Sequence, residues 1–186
     1  NSNKFEERPR PISDKLVLPG NEGTFNVTLY PIYPANSKYI PSRLVNFLKH
    51  EYNQEISKGQ TLQHLKPLTN EEFAEIWFKN NKTNEVNDDG YPVPMDKTQF
   101  DPHDGVVFIL VLDSIDKLEP SRVNKNTHSD AFLNHIRWES QCLGVFNILP
   151  CYEGRSSHIC TANFLVNEGI RNKCIGTYLM EKLLYW

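Results

Sequence analysis

The residues best suited to chemistry lie in ICTANFLVNEGIRNKCIGTYLMEKLLYW, residues 159–186, where an apolar strand runs through a short polar turn into an amphipathic helix. Ile159 to Val166 reads as the strand and Asn167 to Lys173 as the turn, while Ile175, Leu179, Leu183 and Trp186 recur at helical spacing behind them. Such a turn aims the unpaired backbone N–H groups of a helix start at an anion, and Gly176 removes a Cβ that would keep the anion away. The expected chemistry is phosphate binding. A dinucleotide loop needs three glycines and a P-loop needs Gly-Lys-Ser/Thr, and this turn has neither.

A loop of this kind needs a scaffold. Phe25, Val27 and Leu29 alternate after the Gly20 to Gly23 turn and predict a strand to about Pro31. Ser42 follows Pro41 as an N-cap, and Leu44, Leu48, Tyr52 and Ile56, with Phe47 beside them, form a helix face that closes at Gly59. Thr69-Asn70-Glu71-Glu72 is a capping box that opens a second helix and turns Phe73, Ile76 and Trp77 inward. Gly105 to Asp113 is a nearly continuous apolar strand, and Ile136 to Ile148 reads as another with a bulge at Gly144. The predicted order is strand, two helices, three strands and a helix. Residues 1–12 read as a flexible lead-in, and residues 13–186 as part of one domain with polar insertions near 80–104 and 118–135.

At 186 residues, with ordinary apolar and charged fractions, the chain suits one globular domain. A net charge of -3 argues against gripping DNA by charge alone, because that affinity comes from many Lys and Arg residues on phosphates. No stretch reads as a membrane span. Cys142, Cys151, Cys160 and Cys174 fit neither a zinc ribbon nor a disulfide module, so they read as free thiols, with no metal site. The chain starts at Asn1 and stops at Trp186 inside a helical pattern, which reads as a piece of a longer protein.

The run Arg171-Asn172-Lys173-Cys174-Ile175-Gly176 resembles the acetyl-CoA loop of the GNAT N-acetyltransferases: Arg or Gln, two residues, Gly, one residue, Gly or Ala. Cys174 occupies the position of the first glycine. The predicted element order matches the amino-terminal portion of that fold. WESQCLGVFNILPCYEGRSSHICTANFLVNEGIRNKCIGTYLMEKLLYW resembles, more specifically, the fungal Spt-class GNAT proteins that regulate core histone genes. LYPIYPANSKYIPSRLVNFLKHEYNQEISKG and LTNEEFAEIWFKNN resemble the region upstream of the acetyltransferase core in the same family. The strand SxHxCxAxFLVN and its loop are also similar to the yeast N-acetyltransferases that confer resistance to proline analogues, and members of that group tolerate a non-glycine at the Cys174 position.

The resemblance implies an α/β (α+β) GNAT acyl-CoA N-acyltransferase fold, a mixed, mostly antiparallel sheet flanked by helices, truncated after the helix that follows the acetyl-CoA loop. It implies acetyl-CoA as cofactor, with the backbone of Phe164, Leu165 and Val166 along the pantetheine arm. Amides of Asn172, Lys173, Cys174, Ile175, Gly176 and Thr177 would meet the pyrophosphate, with Arg171 or Lys173 adding charge. Histone-modifying members often carry a Glu base on the strand before the loop, where this chain has Cys160, read as a small buried residue without a partner to activate it. His158 could take a proton through a water near neutral pH, and Glu139 on the adjacent predicted strand is a solvent-facing second candidate. The tyrosine that commonly protonates the CoA thiolate comes from a later helix that is not in this chain.

Three functions are then expected in order: a histone acetyltransferase domain in a transcription regulator of core histone genes, a small-molecule N-acetyltransferase acting on proline-like amines, and a catalytically silent acetyl-CoA-binding or interaction module. The first implies a histone or other amine acceptor, promoter DNA bound by a region outside this chain, and a nuclear location. The second implies the cytoplasm. Neither calls for a membrane, and both are compatible with a homodimer.

Overall fold

A computed structural model of the chain describes residues 11–20, 23–32, 40–78, 105–112, 136–152, 154–156 and 158–185. Their strands form one five-stranded sheet in the order β1-β2-β3-β4-β5, every neighbour antiparallel: β1 Ile12–Val17, β2 Thr24–Ile32, β3 Val106–Leu112, β4 Cys142–Pro150 and β5 Cys160–Val166. The helices are α1 Ser42–Lys58, α2 Asn70–Phe78, α3 Trp138–Gln141 and α4 Ile175–Tyr185. The polar stretches read as insertions near 80–104 and 118–135, and Trp186, fall outside the described residues.

The central strands explain the layers. In β3, VVFILVL is buried on both faces, so it reads as a continuous apolar run without alternation. Val107, Ile109 and Val111 point to one side, with Val145 and Leu165 from the neighbouring strands, and pack against α1 and α2. Phe108 and Leu110 point to the other side, with Phe146, and meet Ile175 and Leu179 of α4. An aromatic row crosses this second face: Phe108 stacks on Phe146 at 4.8 Å, and Phe146 lies 5.7 Å from Phe164.

Local signals set the helix ends. The capping box is reciprocal, since the Glu72 amide donates to Thr69 Oγ1 at 3.2 Å and the Thr69 amide donates to Glu72 Oε2 at 2.8 Å. Gly59 closes α1 at φ 66°, with its N–H bonded to the carbonyls of Glu55 and Ile56. Ser42, by contrast, is the first helical residue and not the N-cap. Pro41 holds that position at φ -60° and ψ 131°, its carbonyl accepting from the amides of Leu44 and Val45, and no side chain caps the helix.

Two further expectations change. The strand predicted from Ile136 begins only at Cys142, because residues 138–141 coil into the single turn α3. Gln141 Oε1 accepts from the Arg137 amide and the Arg137 carbonyl accepts from Ser140 and Gln141, which closes that turn and buries Trp138. The bulge falls one residue before Gly144: Leu110 pairs with Gly144 and Val111 with Cys142, leaving Leu143 as the extra residue. The strand β1 has no counterpart in the predicted order. Its inward face reads Ile12, Asp14, Leu16, so a charge interrupts the alternation on which a strand reading depends. Pairing with β2 and the ion pair from Asp14 to Lys182 of α4 hold it in place.

No helix among the described residues is long and apolar enough to cross a membrane.

Candidate functional site

The loop between β5 and α4 is built by hydrogen bonds from residues distant in sequence. Asn167 organises its first half: Oδ1 accepts from the Gly169 amide at 2.9 Å, and Nδ2 donates to the carbonyls of Cys142 at 2.9 Å and Glu139 at 3.2 Å. Glu168–Ile170 then forms a single 3-10 turn. From α1, Glu51 is 7% exposed and its Oε2 accepts from the Glu168 amide at 2.8 Å. Lys58 pairs with Glu168 at 2.7 Å and with Glu55 at 3.1 Å. Arg171 Nη1 pairs with Glu55 at 2.5 Å, and its Nε and Nη2 donate to the Val166 carbonyl at 3.4 and 3.3 Å.

Electrostatics follow from this arrangement. Burial opposes ionisation of Glu55, but the hydrogen bonds and charges of Arg171 and Lys58 outweigh it and hold the carboxyl below its ordinary value. The Lys58 ammonium brings down the exposed Glu168 in the same way. On the other face of the sheet, Lys182 lowers Asp14 against the opposing effect of its partial burial, and Tyr178 is pushed up by burial and by its 2.9 Å hydrogen bond to Asp14.

The second half of the loop carries two left-handed residues and the start of α4. Asn172 and Cys174 adopt φ of 61° and 60°, the left-handed region that favours glycine. Cys174 therefore sits in a conformation that a glycine takes without strain, at a cost of roughly 1–2 kcal/mol for a residue with a Cβ. Its carbonyl accepts the Tyr178 amide, the first helical bond of α4, so the N–H groups of Ile175, Gly176 and Thr177 open a first turn that has no intrahelical acceptors for them. A Cβ on Gly176 would meet only Val166 Cγ2 among the described residues, at the ordinary contact distance of 3.9 Å. Lys173 is exposed and forms no ion pair among the described residues.

Beside the loop, β5 is the sheet edge, and one side of its backbone has no strand partner among the described residues. A groove of about 420 Å³ runs along that strand, bounded by Tyr52, Glu55, Leu62, Asn163, Leu165 and Arg171. Leu165 is buried towards α1, whereas Phe164 and Val166 are half-buried on the α4 side. Space for an extended arm, open amides at a helix start and a nearby cation form a donor set that fits an acyl-CoA.

The two titratable candidates lie at opposite ends of β5. Glu139 is exposed in α3, not on a strand, and its carbonyl meets Asn167 at the loop end. His158 is exposed before the strand begins, with Nδ1 3.2 Å from the Arg155 carbonyl. Six residue steps from Cys160 to Val166 span about 20 Å. Cys160 is exposed and not buried as expected, since the start of an edge strand has no described element over it. Burial pushes the Cys142 thiol up to about 12, which leaves it inert.

Glu51, Glu55 and Lys58 are absent from the sequence-derived site. Their i, i+4, i+7 spacing was visible, but a charged stripe beside an apolar helix face reads first as solvent-exposed surface.

No family model matches the chain. It is 32% identical over 215 aligned residues to Protein SPT10 of Saccharomyces cerevisiae, an alignment that covers 100% of this chain and 30% of that protein. It is also 47% identical over 51 residues to N-acetyltransferase aca1 of Schizosaccharomyces pombe, covering 27% of this chain and 24% of that one. Among solved structures, a GCN5-related N-acetyltransferase from Kribbella flavida is similar at 15% identity and a TM-score of 0.47, over 86% of this chain and 64% of the other. The chain thus spans under a third of the length of the yeast protein that it resembles from end to end. The described residues form an α/β fold around one antiparallel sheet, and the chain is similar from end to end to under a third of the yeast protein and over a shorter stretch to the fission-yeast N-acetyltransferase.

Proposed function

We propose that the chain is the amino-terminal part of an acetyl-CoA-dependent N-acetyltransferase domain in a transcription regulator of core histone genes, acting in the nucleus on histone amines. The observation that carries this reading is the strand–loop–helix at residues 160–185, where open first-turn amides of α4 meet an unpaired strand edge and a groove. When bound, acetyl-CoA supplies an acetyl thioester for transfer to an amine. The amides of Ile175, Gly176 and Thr177, together with those of Asn172, Lys173 and Cys174, would receive the pyrophosphate, and the exposed ammonium of Lys173 would add charge. The backbone of Phe164, Leu165 and Val166 would align the pantetheine arm, so that position supplies much of the rate.

His158 is the first candidate proton acceptor. If its Nδ1–H donates to the Arg155 carbonyl, Nε2 is left as the acceptor for a proton from the amine. Glu139 is the alternative at the loop end. Promoter DNA would be bound by a region outside this chain.

Isothermal titration of the full-length protein with acetyl-CoA is the direct test: saturable heat is expected, and none at saturating ligand overturns the reading. The 47% identity with an N-acetyltransferase over 51 residues leaves room for a second reading, transfer to small amines, and the resemblance to the proline-analogue-resistance acetyltransferases makes proline-like amines the acceptors to try. Turnover of histone tail peptides, set against proline-like acceptors, separates the two. The left-handed Cys174 is what a silent binding module would tolerate, and that third reading requires binding without turnover of either acceptor.

A further inference from the structure

Glu168 and Arg171, in the first half of the run from Asn167 to Thr177, are held by contacts from a helix more than a hundred residues earlier, and these contacts engage the side chain that would otherwise be the obvious pyrophosphate ligand. Along α1, Glu51, Glu55 and Lys58 lie at i, i+4 and i+7, on one helix face. Glu51 accepts the Glu168 amide, Lys58 pairs with the Glu168 carboxylate, and Glu55 pairs with Arg171. Arg171 is thereby occupied on both sides, by Glu55 and by the Val166 carbonyl at the end of β5. Its guanidinium faces α1 and the strand end. The two strained residues, Asn172 and Cys174, follow it directly. A left-handed cysteine persists only where its surroundings hold the backbone, and the fixed Arg171 is the restraint immediately before that segment.

We propose that α1 is a clasp for the cofactor loop, in which Glu55 makes Arg171 a positioning residue and leaves the charge facing the pyrophosphate to Lys173. Arg171 then acts through the loop amides: it holds Asn172 to Thr177 in the conformation that presents them, and acetyl-CoA affinity depends on a carboxylate on α1. The ligand half of this inference rests on the acetyl-CoA reading above. The clasp itself does not.

The test is a double-mutant cycle on the full-length protein with Glu55→Gln, Arg171→Gln and both together. Its two readouts are hydrogen exchange of the loop amides from Glu168 to Gly176 without ligand, and the Kd for acetyl-CoA by calorimetry. Each single substitution is expected to speed loop exchange and raise Kd by about tenfold, and the double variant should be no worse than Arg171→Gln alone, because that substitution already removes the Glu55 contact. Additive exchange rates, or exchange unchanged by both singles, overturn the clasp. Arg171→Lys keeps the charge but cannot bridge Glu55 and Val166 at once, so it should behave like Arg171→Gln. Affinity retained in Arg171→Lys, or an Arg171→Gln loss that is undiminished in the Glu55→Gln background, shows that Arg171 ligates the pyrophosphate directly and overturns the proposal. If the unsubstituted protein gives no heat with acetyl-CoA, the functional reading fails, and the exchange arm alone decides the clasp.

Discussion

The two ends of β5 are built differently. At the Val166 end the chain is fastened from three directions: Asn167 bonds to Cys142, Glu139 and Gly169, Arg171 reaches back to Val166 and across to Glu55, and α4 comes close enough to leave no room beside Gly144. At the Cys160 end, Cys151, Tyr152, His158, Ile159 and Cys160 are all exposed, and the hairpin is closed by backbone bonds such as Cys151 to Ile159. On the acetyl-CoA reading, a phosphate loop must keep its amides aimed before a ligand arrives, which accounts for order being built in at that end.

This contrast predicts unequal effects of mutation. The largest should come from Asn167→Ala, which strips three hydrogen bonds and leaves the Gly169 amide and two carbonyls to find new partners. At about 1 kcal/mol each, the expected loss is roughly 2–3 kcal/mol, read by denaturant unfolding. An effect below about 0.5 kcal/mol would erase the distinction between the two ends.

Gly144→Ala is next. The added Cβ would lie 2.9 Å from Leu179 Cδ1 and 3.0 Å from the Leu165 carbonyl oxygen; the leucine can shift, but the backbone cannot easily do so. A loss of about 1–3 kcal/mol is expected, and the melting temperature measures it. Cys174→Gly should act in the opposite direction. Relief of the left-handed strain offers about 1 kcal/mol, less the greater freedom that glycine gives the unfolded chain, and tighter acetyl-CoA binding by calorimetry is the sharper readout. Weaker binding would mean that the thiol itself contributes to the site.

Acid should loosen the fastened end selectively. Glu55 titrates below its ordinary 4.5, so the stabilisation from its ion pair is complete above that value and is lost as pH falls through the depressed folded-state pKa. Loop amide exchange, corrected for its intrinsic pH dependence, should accelerate over that range only, and an unchanged loop would show that the pair does not restrain it. The smallest structural effect belongs to His158→Ala: an exposed residue with one contact should change stability by less than about 0.5 kcal/mol. If His158 is the base, the same substitution lowers kcat by about a hundredfold or more, so the two measurements together separate its roles.

Elements whose signal lies within a few residues were legible from the sequence: the α1 face ending at Gly59, the Thr69–Glu72 box, the apolar β3, and the turn from Val166 into α4. Each depends on periodicity or on a local hydrogen bond, and both are written in neighbouring side chains. The turn at α3 misled the reading because Ile136 to Ile148 is apolar enough for a strand, while the bonds that coil residues 138–141 need a geometry that composition does not specify.

Contacts across long stretches of chain are written in no such local signal. The pairing of β1 with β2 and the reach of Lys182 to Asp14 overcome a strand whose own alternation is broken by a charge. The clasp joins Glu55 to Arg171 across 116 residues, and no local pattern distinguishes those charges from solvated ones until α1 is laid against the end of β5. Local pattern alone specifies a strand, a turn and a helix at residues 160–185. Packing decided which side chains hold the turn open, because that depends on which surfaces come together when the apolar faces of the sheet and helices are buried.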